Sequence, residues 1–233
     1  MTTRPDPDRK TAILDAAENA FADAGFEGAS LRRIVQAAGV NLATVYYYFD
    51  SKEGLMLAVM DRRFRPLREE QLSGLGAREQ AAAGRPLAVE AILETLLLPT
   101  LRLVGTASVR QEAVKRLIGR VVTEPNPQIQ QLLVRPHSVI RTAYLNALHR
   151  ALPELPTPDL VWRMEFIWGA LGFILCNPAK IEMVTAGVCN PADTETVFRQ
   201  MIRFFGTGLK APPVSRARPA ARRVATARKP GRT

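Results

Sequence analysis

Residues 30–52, SLRRIVQAAGVNLATVYYYFDSK, constrain the fold more than any other segment, because they fit two short helices joined by a tight corner. In the first helix, four apolar side chains recur at helical spacing and form one face: Leu31, Ile34, Val35 and Ala38. Ser30 precedes them in the position of a helix cap, and Gly39 supplies the backbone freedom that ends the helix. Asn41 is predicted to cap a second helix over residues 42–49.

The second helix of this corner turns aromatic side chains toward solvent. Val45 and Phe49 are four residues apart and share its buried face, which places Tyr47 and Tyr48 outward and Tyr46 on the flank. A helix of this size fits the major groove of duplex DNA, where its side chains reach base edges and phosphates. The alternative is a small helical domain in which the tyrosines form a packed aromatic patch.

The longer segment AFADAGFEGASLRRIVQAAGVNLATVYYYFDSKEGLMLAVM resembles the N-terminal helix-turn-helix of the TetR family of bacterial transcription regulators. The resemblance rests on the AGF turn, the AGV corner, the TVYYYF helix and the FDSKEGL exit, and it covers roughly the first sixty residues. It implies a set of DNA-contacting residues: Ser30, Arg32, Arg33, Leu42, Ala43, Thr44, Tyr46, Tyr47, Tyr48 and Lys52.

The resemblance also implies a role for most of these residues. Ser30 and Lys52 would bind phosphates, and Arg32 would reach a base edge or a phosphate. Leu42 and Ala43 cannot donate hydrogen bonds and would press on thymine methyl groups. Tyr48 departs from the family, because it replaces the His that is common at this position.

The net charge of +10 indicates an anionic partner for the candidate site only if the basic side chains lie near that site. Residues 211–233 hold seven basic and no acidic side chains, which leaves about +3 for the rest of the chain. Residues 1–52 hold six basic and seven acidic side chains, so DNA binding there depends on where Arg32, Arg33 and Lys52 project. Because residues 211–233 are rich in Pro, Ala and Arg without an apolar period, we predict a disordered basic tail.

No sequence pattern predicts catalysis or metal binding. Cys176 and Cys189 lie thirteen residues apart without a CxxC or Cys-His cluster, and His137 and His149 have no acid cluster beside them. P-loop, dinucleotide-binding and nucleophile-elbow motifs are absent, so we predict no enzyme activity, no cofactor and no metal. The longest apolar run, around residues 166–176, is far below the roughly 20 residues that span a bilayer. We therefore expect a cytoplasmic protein without a membrane segment.

We predict an all-α fold in which a three-helix N-terminal domain precedes a helical domain for effector binding and dimerisation. The predicted parts are a flexible arm (residues 1–8), the helix-turn-helix domain (9–64), the helical domain (65–210) and the basic tail (211–233). The helix capped by Ser51 is long enough to enter the second domain, with a kink or break at Pro66. Residues 73–86 are predicted to be a connection or a frayed helix end before a helix that Pro86 opens, and residues 108–122 are predicted to form another helix.

Two apolar segments near the C-terminus are predicted to form a homodimer interface. Residues 159–176 are apolar on nearly all sides, and residues 191–209 carry an apolar stripe. The TetR resemblance implies a dimer built from the final two long helices, so we expect two copies of the chain to pack them as a four-helix interface. The alternative is that both helices only complete the core of the monomer.

The helical domain is also predicted to hold a small-molecule effector. The pocket candidates are apolar and favour a hydrophobic or amphipathic effector; they are Leu96, Leu97, Leu103, Leu117, Val121, Trp162, Phe166 and Phe173. The segments RLIGRVVTEP and WRMEFIWGAL resemble those of TetR-family members that respond to fatty acids or acyl-CoA. The same side chains are equally consistent with a plain hydrophobic core.

These features predict a homodimeric DNA-binding regulator, most often a repressor, that binds a palindromic operator and is released by its effector. Two alternatives stay open. A ligand-independent architectural protein would bind duplex DNA with little sequence preference. A small-molecule-binding scaffold would keep the dimer but leave no footprint on an operator.

Overall fold

Helices form nearly all of the chain that the structure describes. The computed structural model describes residues 6–102, 127–134 and 138–214, and within these ranges it contains ten α-helices and no strand. They are α1 (Pro7–Gly28), α2 (Leu31–Ala37), α3 (Leu42–Phe49), α4 (Lys52–Ala81), α5 (Val89–Arg102), α6 (Pro127–Val134), α7 (Ser138–Ala151), α8 (Thr157–Cys176), α9 (Pro178–Val184) and α10 (Thr194–Lys210). The prediction of an all-α fold is confirmed. The helix predicted over residues 108–122 lies outside the described residues.

Helix α1 begins at Pro7, two residues before the predicted start of the helix-turn-helix domain at Arg9. The Asp6 carboxylate accepts a hydrogen bond of 3.0 Å from the Asp8 N–H, and proline suits the first helical turn because its missing N–H needs no partner there. The arm therefore ends at Asp6, and residues 1–5 lie outside the described ranges. Near its other end α1 is interrupted at Gly25, whose φ of 71° lies in the left-handed region that glycine favours.

The first hydrophobic core lies among α1, α2, α3 and the start of α4. Its buried side chains come from all four helices and include Ile13, Phe21, Ile34, Val45, Phe49, Leu55 and Val59. Ile129 of α6 is buried in the same cluster, so a helix that lies much later in the sequence packs against this N-terminal unit. The α2–α3 corner is thus held on a rigid base rather than on a mobile loop.

Helix α4 belongs to two cores. Its first half supplies Leu55 and Phe64 to the N-terminal core, while Leu75 is buried in a second core formed with α5, α7, α8 and α10. The helix runs through Pro66, which lies on an exposed side, and continues to Ala81. Of the two alternatives predicted for residues 73–86, a connection or a helix end, residues 73–81 are the end of α4 and residues 82–88 are the connection. Helix α5 starts at Val89 instead of Pro86.

A carboxylate on the buried face of α1 joins α1 to α4. Glu18 is only 3% exposed, and its Oε2 lies 2.7 Å from the Arg62 guanidinium and 2.5 Å from that of Arg63. Asp15, one turn earlier and exposed, lies 2.9 Å from Arg62. Because a buried carboxylate is stable only when it is paired and hydrogen-bonded, this cluster fixes how α1 sits on α4.

A buried polar network crosses the second core. The Gln71 amide donates to the Leu96 carbonyl and to the Thr100 hydroxyl, both at 3.0 Å. The Tyr144 hydroxyl lies 3.0 Å from Thr95 Oγ1 and 3.2 Å from the Gln71 carbonyl. The network links α4, α5 and α7. The Leu96 carbonyl, which accepts from Gln71, lies three residues before Pro99, where α5 lacks one backbone N–H.

Replacing Tyr144 by Phe should lower the free energy of unfolding by about 1 kcal/mol at neutral pH, because Thr95 and Gln71 lose a buried hydrogen-bond partner. Burial raises the pKa of Tyr144 to about 12, although the hydrogen bond to Thr95 acts in the opposite direction and lowers it. The unfolded chain then releases this proton first, so the wild-type protein loses stability as the pH rises from about 10 to 12. Denaturant titrations over this range should show a smaller alkaline loss in the Phe variant, and parallel curves would contradict the assignment.

Helix α8 presents one face to the core and another to solvent. Leu160, Met164, Ile167 and Leu171 are buried, whereas Trp162 and Phe166 are 64% and 61% exposed. The two exposed rings lie 6.0 Å apart between centroids. Within the described ranges, no helix is both long enough and apolar enough to cross a bilayer.

Candidate nucleic-acid interface

The corner between α2 and α3 has the geometry that its sequence predicts. Gly39 adopts a φ of 65°, and the N–H groups of Gly39 and Val40 bond to the carbonyls of Gln36 and Val35 at 3.3 and 3.0 Å. Asn41 caps α3, since its side-chain oxygen accepts from both the N–H and the hydroxyl of Thr44 at 2.9 and 2.8 Å. Hydrogen bonds between residues that are close in sequence therefore fix the angle between the two helices.

Helix α3 is attached to the core by one side only. Val45 and Phe49 are buried, while Tyr47 is 63% exposed and Tyr46 46% exposed. Leu42 and Ala43 are exposed at the start of the helix. An apolar and aromatic surface on a short helix with a fixed base suits the insertion of side chains into a groove.

Tyr48 does not face solvent as predicted. Its hydroxyl accepts a hydrogen bond of 2.8 Å from the Asp6 N–H and donates one of 3.1 Å to the Asp6 carbonyl, and its half-buried ring packs against the N-terminal core. The pattern of α3 placed Tyr48 outward, but the start of α1 covers it. This contact brings the end of the N-terminal arm onto α3.

The remaining predicted residues lie at the start of α2, along α2, on α3 and at the start of α4. Ser30 stands at the start of α2 without a side-chain capping bond, contrary to the predicted cap, and Arg32 and Arg33 are exposed on α2. The Lys52 ammonium lies 3.3 Å from the Glu27 carbonyl and 4.7 Å from the centre of the Phe26 ring. An ammonium has three donors, so this contact leaves Lys52 able to bind an anion. We call the set Ser30, Arg32, Arg33, Leu42, Ala43, Thr44, Tyr46, Tyr47 and Lys52 the corner surface.

Gly54 fixes the junction of α3 with α4, and sequence reasoning missed it. A Cβ on Gly54 would lie 2.0 Å from the Phe49 carbonyl oxygen, so no other residue fits without moving the backbone. Ser51 caps α4 by accepting from the Gly54 N–H at 3.0 Å, and Asp50 has a φ of 61° between the helices. The signal available in the sequence was a glycine in the first turn of a helix, where glycine is intrinsically unfavourable.

The structure does not bring the predicted effector-pocket residues together. Leu96 and Leu97 are fully buried in the second core, whereas Trp162, Phe166 and Phe173 are exposed on α8. Within the described residues, these aromatic side chains therefore share no enclosed cavity with Leu96 and Leu97, and the effector pocket stays a prediction. Leu103, Leu117 and Val121 lie outside the described residues. An open groove of about 380 Å³ lies between α7 and residues 82–88, but charged side chains such as Glu79, Arg85 and Arg150 contribute to its lining.

Two protein families match this chain in succession. Residues 13–59 match the family described as bacterial regulatory proteins, tetR family, and residues 94–208 match the tetracyclin repressor-like C-terminal domain. The HTH-type transcriptional repressor KstR2 of Rhodococcus jostii is 29% identical over 132 residues, which make up 53% of this chain and 61% of that protein. The chain thus spans less than two thirds of the length of this relative.

Solved structures show the same fold. The fatty acid degradation regulator FadR from Bacillus halodurans superposes with a TM-score of 0.59 at 18% identity, over 90% of this chain and all of that one. FadR from Bacillus subtilis, in complex with stearoyl-CoA, gives a TM-score of 0.54 at 16% identity, over 85% of this chain and 98% of that one. With a helix-turn-helix corner on a rigid base and both family domains in order, the chain belongs to the TetR family of bacterial regulatory proteins.

Proposed function

We propose that this protein is a transcriptional repressor that binds a palindromic DNA operator as a homodimer and dissociates when a small molecule binds. The observation that carries the proposal is the corner surface, in which α3 exposes apolar and aromatic side chains. Arg32 and Arg33 lie on the adjacent α2 and Lys52 at the start of α4, and hydrogen bonds between residues close in sequence fix the corner. Arginine and lysine neutralise phosphates, while the exposed side of α3 supplies the contacts to base edges.

The exposed side of α8 supports the proposed homodimer. Trp162, Phe166 and Phe173 recur along one face of the helix, and Phe204 of the neighbouring α10 is 73% exposed. Nothing lies within 4 Å of a Cβ built on Gly169, between Phe166 and Phe173, so a second helix can approach closely there. Aromatic side chains of this kind are enriched in the centres of protein interfaces. The proposed interface therefore comprises α8 and α10, that is residues 157–176 and 194–210 in place of the predicted 159–176 and 191–209.

We propose a fatty acid or long-chain acyl-CoA as the effector. FadR from Bacillus subtilis, which has the same fold, was solved with stearoyl-CoA, and the sequence resemblance noted above points to the same class. Helix α4 contributes to both cores, so a ligand that prefers one position of α4 in the second core also changes the position of α3. This coupling requires no contact between the effector and DNA.

Replacing Arg32 or Tyr47 by Ala should weaken operator binding by about 1 to 3 kcal/mol without changing the stability of the protein, because both side chains are exposed. The DNA probe is the fragment that the protein retains most tightly from the genome of its source organism, and a gel shift measures the affinity. Arg85→Ala is the matched control, since Arg85 is exposed in the connection before α5.

The same assay separates the proposed function from its alternatives. Addition of a long-chain acyl-CoA should release the fragment, and a free fatty acid tests the acyl chain without the nucleotide. If both variants bound the fragment with wild-type affinity, the assignment of the corner surface as the DNA-binding site would be wrong. Equal affinity for the selected fragment and for random DNA would favour an architectural protein instead.

A further inference from the structure

Tyr48 lies between the exposed and the buried side of α3. Its ring centroid is 5.1 Å from that of Tyr47, with the two ring planes at 77°, and 6.1 Å from that of Phe49. Tyr47 is mostly exposed, whereas Phe49 is buried in the N-terminal core. The three consecutive rings therefore connect an exposed side chain of the corner surface to that core.

The Tyr48 hydroxyl is held by the backbone of the residue that precedes α1. It accepts a hydrogen bond from the Asp6 N–H at 2.8 Å and donates one to the Asp6 carbonyl at 3.1 Å. Asp6 is itself fixed, because it caps α1 through the Asp8 N–H and its carbonyl also accepts from the Lys10 N–H at 3.3 Å. Since hydrogen bonds are directional, two bonds to one residue restrain the orientation of the Tyr48 side chain.

Tyr47 has no comparable restraint of its own. Among the described residues, its hydroxyl forms no hydrogen bond, and Tyr48 supplies the only aromatic ring in contact with it. An exposed side chain of this kind exchanges between staggered rotamers on a timescale of nanoseconds or less. The fixed ring of Tyr48 favours the rotamer of Tyr47 in which the two rings meet edge to face, because this arrangement of aromatic rings is attractive. A side chain that is already ordered loses less conformational entropy when it binds.

We propose that Tyr48 is a positioning residue for the reading of DNA, which holds Tyr47 in the orientation that reaches base edges and does not itself contact the duplex. The inference rests on the proposed function, because that function places the corner surface on an operator. It differs from the direct contact that the TetR resemblance implies for Tyr48. A tyrosine hydroxyl has one proton to donate, and that of Tyr48 is donated to the Asp6 carbonyl instead of to a phosphate.

Tyr48→Phe tests the proposal, since it keeps the ring and removes both bonds to Asp6. In gel shifts, the affinity for the selected operator fragment should fall about threefold to tenfold, while the affinity for random duplex DNA stays within about twofold. Random DNA is held mainly by phosphate contacts, which this variant leaves intact. Damage to the fold would weaken both affinities. Tyr144→Phe is the matched control, because it removes a hydroxyl with two hydrogen bonds in the second core and should change neither affinity.

Combining Tyr48→Phe with Tyr47→Ala separates positioning from direct contact. If Tyr48 acts through Tyr47, then Tyr48→Phe has no further effect on operator affinity once the Tyr47 ring is absent. A full additional loss in the double variant would show that Tyr48 contacts DNA itself and would overturn the proposal. An unchanged ratio of operator affinity to random-DNA affinity in the single variant would overturn it as well.

A measurement without DNA separates this inference from the proposed function. Nuclear magnetic resonance of the full-length protein, with labelled tyrosine and phenylalanine rings, should detect nuclear Overhauser effects between the rings at positions 47 and 48. We expect these effects in the wild type and their loss in Tyr48→Phe. Equal effects in both proteins would overturn the proposal. A wild type that shows the expected ring contacts but selects no DNA fragment would count against the proposed function, while the orientation of Tyr47 by Tyr48 would stand.

Discussion

Replacing Glu18 by Gln should lower the free energy of unfolding by about 3 kcal/mol, a large effect for a substitution that keeps the size of the side chain. The carboxylate is buried and pairs with both Arg62 and Arg63, so its loss leaves Arg63 without this anionic partner and Arg62 with only the exposed Asp15. Removing one partner of a buried pair costs about 3 to 5 kcal/mol, and the lower value applies because the two arginines keep some contact with solvent. Urea titration monitored by circular dichroism measures the change.

Asp15→Asn is the matched control for Glu18→Gln. Asp15 pairs with the same Arg62 but is exposed, so its substitution should cost well under 1 kcal/mol. Equal losses in the two variants would contradict the view that burial gives the Glu18 cluster its importance. Because the cluster orients α1 on α4, Glu18→Gln should also weaken operator binding at temperatures where the protein remains folded.

Replacing Phe166 by Glu should convert the proposed dimer into monomers. The ring is 61% exposed in the single chain and contacts Trp162, and in the proposed interface a carboxylate at this point would be buried without a partner. A penalty of about 3 kcal/mol corresponds to a roughly hundredfold weaker dimer. Operator affinity should fall by a similar factor, since each monomer holds one copy of the corner surface. Analytical ultracentrifugation and gel shifts measure the two effects.

Val139→Glu is the matched control, because Val139 of α7 is also an exposed apolar residue but lies outside α8 and α10. It should leave the dimer and the operator affinity unchanged. A dimeric Phe166→Glu variant with normal operator binding would show that the aromatic face of α8 serves another purpose.

The local geometry of the corner was predictable because it depends on short-range interactions. Gly39 and Asn41 act within one helical turn, and periodicity alone assigns Val45 and Phe49 to the buried side. Tyr48 was misplaced because its cover comes from Asp6, 42 positions away in sequence. No pattern within α3 contains that information.

The faces of α8 were ambiguous for a different reason. A sequence that is apolar on nearly all sides of a helix indicates that the helix will be buried. It does not indicate which side faces the core of its own chain and which side faces a partner. The structure assigns Ile167 to the core and leaves Phe166 exposed. Likewise, the helical pattern of α1 did not identify the buried ion pairs of Glu18, because Arg62 and Arg63 come from a distant part of the sequence.

The shared helix α4 has a mechanical consequence for the reading of DNA. Leu75 anchors it in one core, and Gly54 allows almost no gap between its first turn and the end of α3. From Leu75 to Lys52 the helix is about 35 Å long, so a rotation of about 5° about Leu75 displaces its first turn by roughly 3 Å. That displacement is close to the 3.4 Å rise of one base step, so a small tilt is enough to move the two halves of the proposed dimer out of register with the proposed palindromic operator.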